Sequence, residues 1–495
     1  MIAIGCSTPE TVVVDSDPEP TSSSSENVSD RSETDRKFEH VKIGTSYPIH
    51  SLDPLFASNT GMMRIVQALY ENLVTYNQEG EIVPEIAKSW TISDDSLTYT
   101  FNLRNDLYYH DSQAFANGLG RRVYASDVAF VFDRMAQSDV PATAARLFMN
   151  IRGFEPYFQE QRNVPLKKLR NIEGVAGVTA NDQYTVSFKL TQPDPNFLQK
   201  LALPWASIYP RESIRYQDGG LHQNPVGTGP FTLADTRGDS VFILENSANY
   251  VPKNSPADTS KMVPRADRID FIHTSKDRAL VRNLLEGELD LIFEIPPVIR
   301  QSVVDSTGKL MAANRDNIRL FEYKNPAKYG IFANPMADTA LTDDQAAFAT
   351  NLAWESFTRF LPAKAKTFSE EFSVKPSTIA GEQPKLPKHL EAVYSEDPVI
   401  ELYYRALATR LKAETPSRFR MLTIHTPIRE THIWGSRIWQ ISDRSHLMPA
   451  SQSSLIHKFS VSELALAEKS LQGLKLNKLP WWTDYIYLRT TKKTL

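Results

Sequence analysis

The sequence is almost without cysteine. Cys6 is the only one in 495 residues, so no intrachain disulfide can form and a cysteine-based metal cage is excluded. Long apolar runs are also missing. None reaches the roughly 18 residues that a membrane-spanning helix needs. Glycine is sparse beside proline, 20 against 31, which excludes collagen-like and Gly/Ser low-complexity chains and points to long, stiffened loops. The formal net charge of -4 shows no basic excess, so nothing electrostatic favours a nucleic acid partner. No Walker-type phosphate loop, GxSxG elbow or HExxH helix occurs. What remains is ordinary globular material, 41% hydrophobic and 23% charged, long enough for two or three domains with sizeable cores.

The lone cysteine has a recognisable setting. Ala3-Ile4-Gly5-Cys6 has the small and apolar residues that end a bacterial lipoprotein signal, with Cys6 as the lipidation site. Residues 1–5 are too short for the basic segment and apolar core of a signal peptide, so a truncated signal is expected. A chance cysteine in a cytoplasmic protein is the alternative. From Ser7 to about Arg36 the chain is rich in Ser, Thr, Asp, Glu and Pro, including Ser22-Ser23-Ser24-Ser25. Such a segment cannot offset its ordering entropy and is expected to be a disordered acidic leash. An ordinary disordered tail with no anchor is the alternative.

Order is expected from Phe38. His40-Val41-Lys42-Ile43-Gly44 alternates as a strand does, and so do Leu97 to Leu103 and Tyr184 to Leu190. Val241 to Leu244 and Ile269 to Ile272 also read as strands. Asn59 and Thr60 offer helix caps, and Ile65, Leu69 and Leu73 then fall on one face. Ser126-Asp127 caps the apolar run Val128 to Phe132, and Leu280, Leu284 and Leu285 lie on a helix that Gly287 closes. Helices and strands mix without strict alternation, giving an α/β or α+β class.

Several motifs stand in order along the first part of the chain. They are Ser51-Leu52-Asp53-Pro54, Tyr70-Glu71-Asn72-Leu73-Val74, Pro84-Glu85-Ile86-Ala87-Lys88-Ser89-Trp90 and Tyr99 to Asp106. Tyr124-Ala125-Ser126-Asp127-Val128, Pro225 to Phe231 and Gly287-Glu288-Leu289-Asp290 follow. This ordered set resembles the peptide/nickel type of ABC-importer solute-binding proteins, the family 5 extracellular solute-binding proteins. The resemblance implies a mixed α/β, two-lobed periplasmic-binding-protein type II fold with a subdomain inserted in the first lobe. It places a truncated signal and linker at 1–37, the first lobe at 38–275 with the insertion at about 83–192, the second lobe at 276–455, and a C-terminal return at 456–495. Asp53 and Trp90 are read as a turn former and a core anchor.

For the cleft, the resemblance singles out Ser46 and Tyr47 after the first strand, Trp205 and Ser207 in Pro204 to Pro210, and Tyr329 and Asn334 in the second lobe. Gly227, Thr228 and Gly229 suit a lobe-crossing hinge, because glycines between prolines allow a sharp turn and close approach. A rigid loop fits those residues equally well. Beyond Asn334 the resemblance thins. Asp338 matches a family aspartate, but the following helix lacks the family's arginine, and no Trp-x-Ala-Asp segment lies between Asn334 and Asp397. Asp443 echoes that segment at the wrong spacing, and the stretch from Asn334 to Asp397 is much shorter than the resemblance implies, so the second lobe is expected to be abbreviated.

The resulting expectation is a binder and not an enzyme, without cofactor or metal. It is a monomer delivering peptides or a related small solute to permease and ATPase subunits, lipid-anchored at the periplasmic or cell-surface face of a bacterial membrane. Two alternatives stay open: a shortened member acting as a sensor or interaction lipoprotein, and a secreted hydrolase. The hydrolase reading has little to rest on, since Gly238-Asp239-Ser240 sits in a hairpin-like turn. His425 and His432, seven residues apart, form a poor metal pair, although the family includes nickel and haem binders.

Overall fold

A computed structural model describes residues 11–12, 38–215, 220–252, 264–296, 299–305, 308–314, 316–323, 327–334, 337, 339–360, 371–372, 384–394, 397–422, 433–438, 454–461, 463–476, 479 and 482–490. Cys6, Asp338, His425, His432 and Asp443 lie outside the described residues.

Three sheets organise the chain. The first is seven-stranded, in the order Ile318–Glu322, Leu464–Glu468, Leu291–Ile292, His40–Thr45, Arg268–His273, Val241–Asn246 and Phe231–Arg237. His40–Thr45 lies parallel to both of its neighbours, buried through Val41 and Ile43. Asp290 fixes its place by accepting the Lys42 amide at 2.8 Å. The helix Asp277–Leu285 ends as expected, with Gly287 in the left-handed region at φ 79°.

The second sheet contains Ala87–Ile92, Thr98–Leu103, Thr185–Lys189 and Val178–Ala180, all antiparallel, and is inserted between strands of the first. Along Thr98–Leu103, Tyr99, Phe101 and Leu103 are buried while the threonines between them are half-exposed. The helix Ala125–Met135 lies on this sheet, with Phe132 packed edge-on to Phe188 at 5.0 Å. Asp127, in its first turn, accepts the Tyr124 amide at 3.0 Å and pairs with Arg121. One continuous apolar core joins this unit to the first sheet, so the two have no separate interiors. Thr11–Val12 pairs with Thr91 and Trp90 at its edge. That short pairing departs from the expectation of disorder from Ser7 to Arg36.

The third sheet is six-stranded, ordered Glu371–Phe372, Ser454–Val461, Ala327–Ala333, Ile433–Ile438, His389–Tyr394 and Arg418–Leu422. One of its parallel pairs, His389–Tyr394 and Arg418–Leu422, is joined by the helix Pro398–Glu414, the kind of crossover that parallel pairing requires. That helix packs on Asp343–Phe357, with the Tyr403 hydroxyl donating to Thr350 O at 3.0 Å. Their shared core is separate from that of the first lobe.

These facts move two expected boundaries. Leu291–Ile292 and Ile318–Glu322 belong to the first-lobe sheet, so that lobe runs past 275, and the second lobe's sheet begins at Ala327. The second lobe, expected to be abbreviated, carries six strands and two long helices. One helix is shorter than its periodicity implies. Thr60–Leu69 is capped by Asn59 as expected, but it stops before Leu73 because the chain turns extended at Tyr70 and the Asn72 amide is taken by the Glu85 carboxylate at 2.7 Å.

Candidate functional site

The two lobes are joined where one pair of strands runs from one sheet into the other. Ile318–Glu322 pairs antiparallel with Leu464–Glu468 in the first lobe, and Ala327–Ala333 pairs antiparallel with Ser454–Val461 in the second. The chain therefore crosses between Glu322 and Ala327, and again between Val461 and Leu464. The two crossings are bonded to each other, the Tyr323 amide donating to Glu463 O at 3.1 Å.

Around these crossings the fold buries charge. Glu463 is 2% exposed and accepts the Tyr329 hydroxyl at 3.4 Å. Arg300, also 2% exposed, donates Nε to Ile295 O at 3.0 Å, and Ile295 in turn donates its amide to Leu464 O. Burial pulls the Arg300 guanidinium below the ordinary arginine value, while Glu463, Tyr329, Tyr47 and Glu294 attract its charge. Tyr47 comes from the loop after the first strand, and Tyr329 from the first strand of the second lobe. Side chains from both lobes thus act electrostatically on Arg300.

A second arginine supports this cluster from the first lobe. Arg64, on the helix Thr60–Leu69, holds both carboxylate oxygens of Glu294 through its two terminal nitrogens and lies 4.2 Å over the Phe293 ring. Burial works to lower its pKa, but Glu294 and Tyr323 outweigh that and raise it. Two buried arginines thus stand against two glutamates, and the junction is near neutral. That balance is what a desolvated ionic cluster needs in order to persist.

The structure sorts the expected cleft residues. Tyr47 and Tyr329 are both buried, and both favour the charge of Arg300. Ser46 is half-buried beside Tyr47, and Asn334 is buried just past the far end of the Ala327–Ala333 strand, about 17 Å along the chain from Tyr329 by strand rise. Trp205 and Ser207 lie elsewhere in the first lobe. Trp205 donates Nε1 to Ala57 O at 2.9 Å, and the Ser207 hydroxyl lies 2.9 Å from Asn72 Oδ1 and 2.7 Å from Pro204 O. Both are fully buried in local structural bonds.

The hinge expectation at Gly227, Thr228 and Gly229 is corrected, because the segment never leaves the first lobe. The Gly229 amide donates to Leu69 O at 3.0 Å, and His110 holds the segment from the other side, with its Nε2 2.8 Å from Gly229 O. A Cβ at Gly227 would meet Leu69 O at 2.1 Å. Close approach is therefore the reason for the glycines, and bending is not. Gly227→Ala should destabilise the protein by about 1–3 kcal/mol through overpacking, read as a lower urea midpoint with unchanged slope.

Arg300, Glu463, Glu294 and Arg64 escaped the sequence reading. A signal was present for Arg64 and Glu294, each a charge set in an apolar run, in Met62-Met63-Arg64-Ile65-Val66 and Leu291-Ile292-Phe293-Glu294-Ile295. Asp53 belongs to the same class. Besides its turn role it forms a buried pair with Arg134, which also donates to the Tyr209 hydroxyl at 2.9 Å. Gly238-Asp239-Ser240 is the turn between Phe231–Arg237 and Val241–Asn246. Among the described residues no group of three His, Cys, Asp or Glu could hold a metal, and no helix is long and apolar enough to cross a membrane.

The family model of the bacterial extracellular solute-binding proteins, family 5, matches residues 81–398, more than half of the chain. The chain belongs to this family. Among curated proteins, this family 5 chain is 33% identical over 195 residues to the dipeptide-binding protein of Escherichia coli, covering 38% of this chain and 33% of that one. It is 31% identical over 221 residues to the heme-binding protein A of Haemophilus influenzae, covering 43% and 37%. The matched region thus spans about a third of the length of each. Among solved structures, the periplasmic binding protein DppA from Helicobacter pylori in complex with the peptide STSA superposes with a TM-score of 0.67 at 15% identity. That superposition covers 93% of this chain and 99% of the other, which establishes the two-lobed type II fold across both lobes.

Proposed function

We propose that this chain is the extracytoplasmic capture component of an ABC importer, binding peptides or a related small solute between its lobes. The observation that carries the reading is Arg300, buried close to the double crossing, where Glu463, Tyr329 of the second lobe and Tyr47 of the first all favour its charge. A guanidinium so placed is built to meet a carboxylate or a carbonyl-rich main chain that touches both lobes. Ser46, beside Tyr47, and Asn334, just past the end of the strand that carries Tyr329, complete the proposed contact set.

The mechanism is a population shift. Solute contacts with both lobes favour the closed arrangement, and the two crossings absorb the change of angle. The closed form is then the one recognised by the permease, with an ATPase supplying the energy. The named relatives bind dipeptides and heme, so peptide is the first ligand class to test and heme the contrast. Lipidation at Cys6 would hold the monomer at the membrane, and membrane fractionation of the full-length product with and without Cys6→Ser tests it.

Native mass spectrometry of the purified protein tests the ligand class. Retained masses matching short peptides, released on mild unfolding, are the expected result. A retained heme mass would replace peptide as the ligand. Turnover of peptide substrates, abolished by one Ser or His substitution, would establish the hydrolase reading instead.

A further inference from the structure

The inserted part of the first lobe carries an apolar tip that faces water. Between the helix Phe154–Asn163 and the strand Val178–Ala180 the chain runs Pro165-Leu166-Lys167-Lys168-Leu169-Arg170, with Lys167–Leu169 as one turn of 3-10 helix. The Leu169 amide donates to Leu166 O at 2.9 Å, so the two leucines stand one turn apart. Leu166 is 56% exposed and Leu169 58%, and Pro165, Lys167 and Lys168 are exposed around them. The other exposed large apolar residues among those described, such as Leu119 and Leu285, fall singly along the chain. Single ones are ordinary, whereas two in one turn make a patch.

Bonds at its base hold the tip out. Arg170 donates Nε to Val164 O at 2.9 Å and a terminal nitrogen to Gln161 O at 3.0 Å. The Glu160 carboxylate accepts the amides of Asn171 and Ile172 at 2.8 and 2.9 Å. Both ends are therefore fixed, and little ordering entropy is left to lose on docking. The charge around the tip is basic on balance. From Phe158 to Glu173, Arg162, Lys167, Lys168 and Arg170 stand against Glu160 and Glu173, in a chain whose formal net charge is -4. Asp139, after the helix Ala125–Met135, attracts Arg162, and Arg146 repels it, which leaves that balance unchanged. Neither lysine is ion-paired among the described residues.

We infer that the segment 166–169 is a docking tip for an anionic phospholipid surface. Two leucines are too little apolar area for the core of a stable protein interface, which takes roughly 800 Å² from each partner. They are enough to enter the boundary between headgroups and acyl chains. The lysine stems beside them lie along that apolar layer and keep their ammonium groups among the phosphates. The basic balance selects anionic over zwitterionic lipid. Docking through the tip turns this part of the first lobe toward the membrane, whatever occupies the cleft between the lobes.

Vesicle sedimentation tests the inference on the full chain carrying Cys6→Ser, so that no lipid anchor contributes. Vesicles of phosphatidylglycerol and phosphatidylcholine in equal parts are expected to bind the protein at low ionic strength. Pure phosphatidylcholine should bind it about thirtyfold less, since each lysine gains about fivefold at an anionic surface. Lys167→Glu/Lys168→Glu should weaken binding to the anionic vesicles at least about thirtyfold, and Leu166→Ser/Leu169→Ser about tenfold. All four side chains are exposed, so both variants should melt with the parent by circular dichroism. No binding to the anionic vesicles, equal binding to both lipids, or unchanged affinity in either double variant would each overturn the inference. So would binding to native bacterial membrane vesicles that trypsin treatment of those vesicles abolishes, with none to bare lipid, which assigns the tip to a protein partner.

Discussion

Replacing Arg64 by methionine is expected to cost about 3–5 kcal/mol of unfolding free energy, read as a lower urea midpoint. The side chain leaves little room for a smaller effect. Arg64 is 1% exposed and makes a two-pronged contact with Glu294, whose own side chain is 11% exposed. Removing the guanidinium takes the Arg64 charge away from a largely buried carboxylate. Methionine keeps the volume, so the loss reports charge and not a cavity. The double variant Arg64→Met/Glu294→Met should recover most of the loss, because the larger part of the penalty belongs to the stranded partner. A single variant that unfolds like the parent would show that the pair is hydrated and the junction open to solvent.

Acidification is expected to destabilise the protein well before its ion-paired carboxylates titrate. Burial holds the pKa of His110 down to about 4, and that of His457 to about 3. Both stand at 6.5 when unfolded, so both are neutral in the fold and the unfolded chain binds the extra protons. The stability this confers is complete above about pH 6.5 and is lost as pH falls toward the folded values. Between pH 7 and about pH 4.5 the two histidines together should cost on the order of 5 kcal/mol. The structural reasons differ. His110 Nε2 donates to Gly229 O, and a charged ring could no longer accept the Gly227 amide at Nδ1. His457 sits edge-on to Trp354 at 4.8 Å, with Nδ1 3.1 Å from the Tyr403 hydroxyl. Urea titrations at the two pH values should show the loss, and His110→Gln with His457→Gln should flatten it. A flat profile in the parent would mean that both rings reach water.

How much of this could be read in the sequence depends on range. Alternation gave the strands at His40, Tyr99 and Val186, because a half-buried strand writes its period into neighbouring residues. Caps at Asn59, Asp127 and Gly287 were legible for the same reason. The crossings were not, since Tyr323 and Glu463 meet only through pairing of segments far apart in the chain. Gly227 and Gly229 signalled close approach correctly, but nothing local says whether the approaching chain is another lobe or the end of the helix at Leu69. Trp205 and Ser207 were singled out as aromatic and polar groups between prolines, a pattern that does not foretell the bonds they make to Ala57 O and Pro204 O. Tyr47 and Tyr329 were singled out through the family resemblance, and Arg300 was not, because the resemblance marks no arginine there.

Stability tests probe the junction, and closure tests what the junction is for. Small-angle X-ray scattering on the ligand-stripped protein, titrated with a peptide shown by calorimetry to bind, measures it most directly. The account predicts a smaller radius of gyration at saturation, as the two lobes turn about Tyr323 and Glu463 onto the solute. An unchanged radius with the peptide demonstrably bound would contradict it.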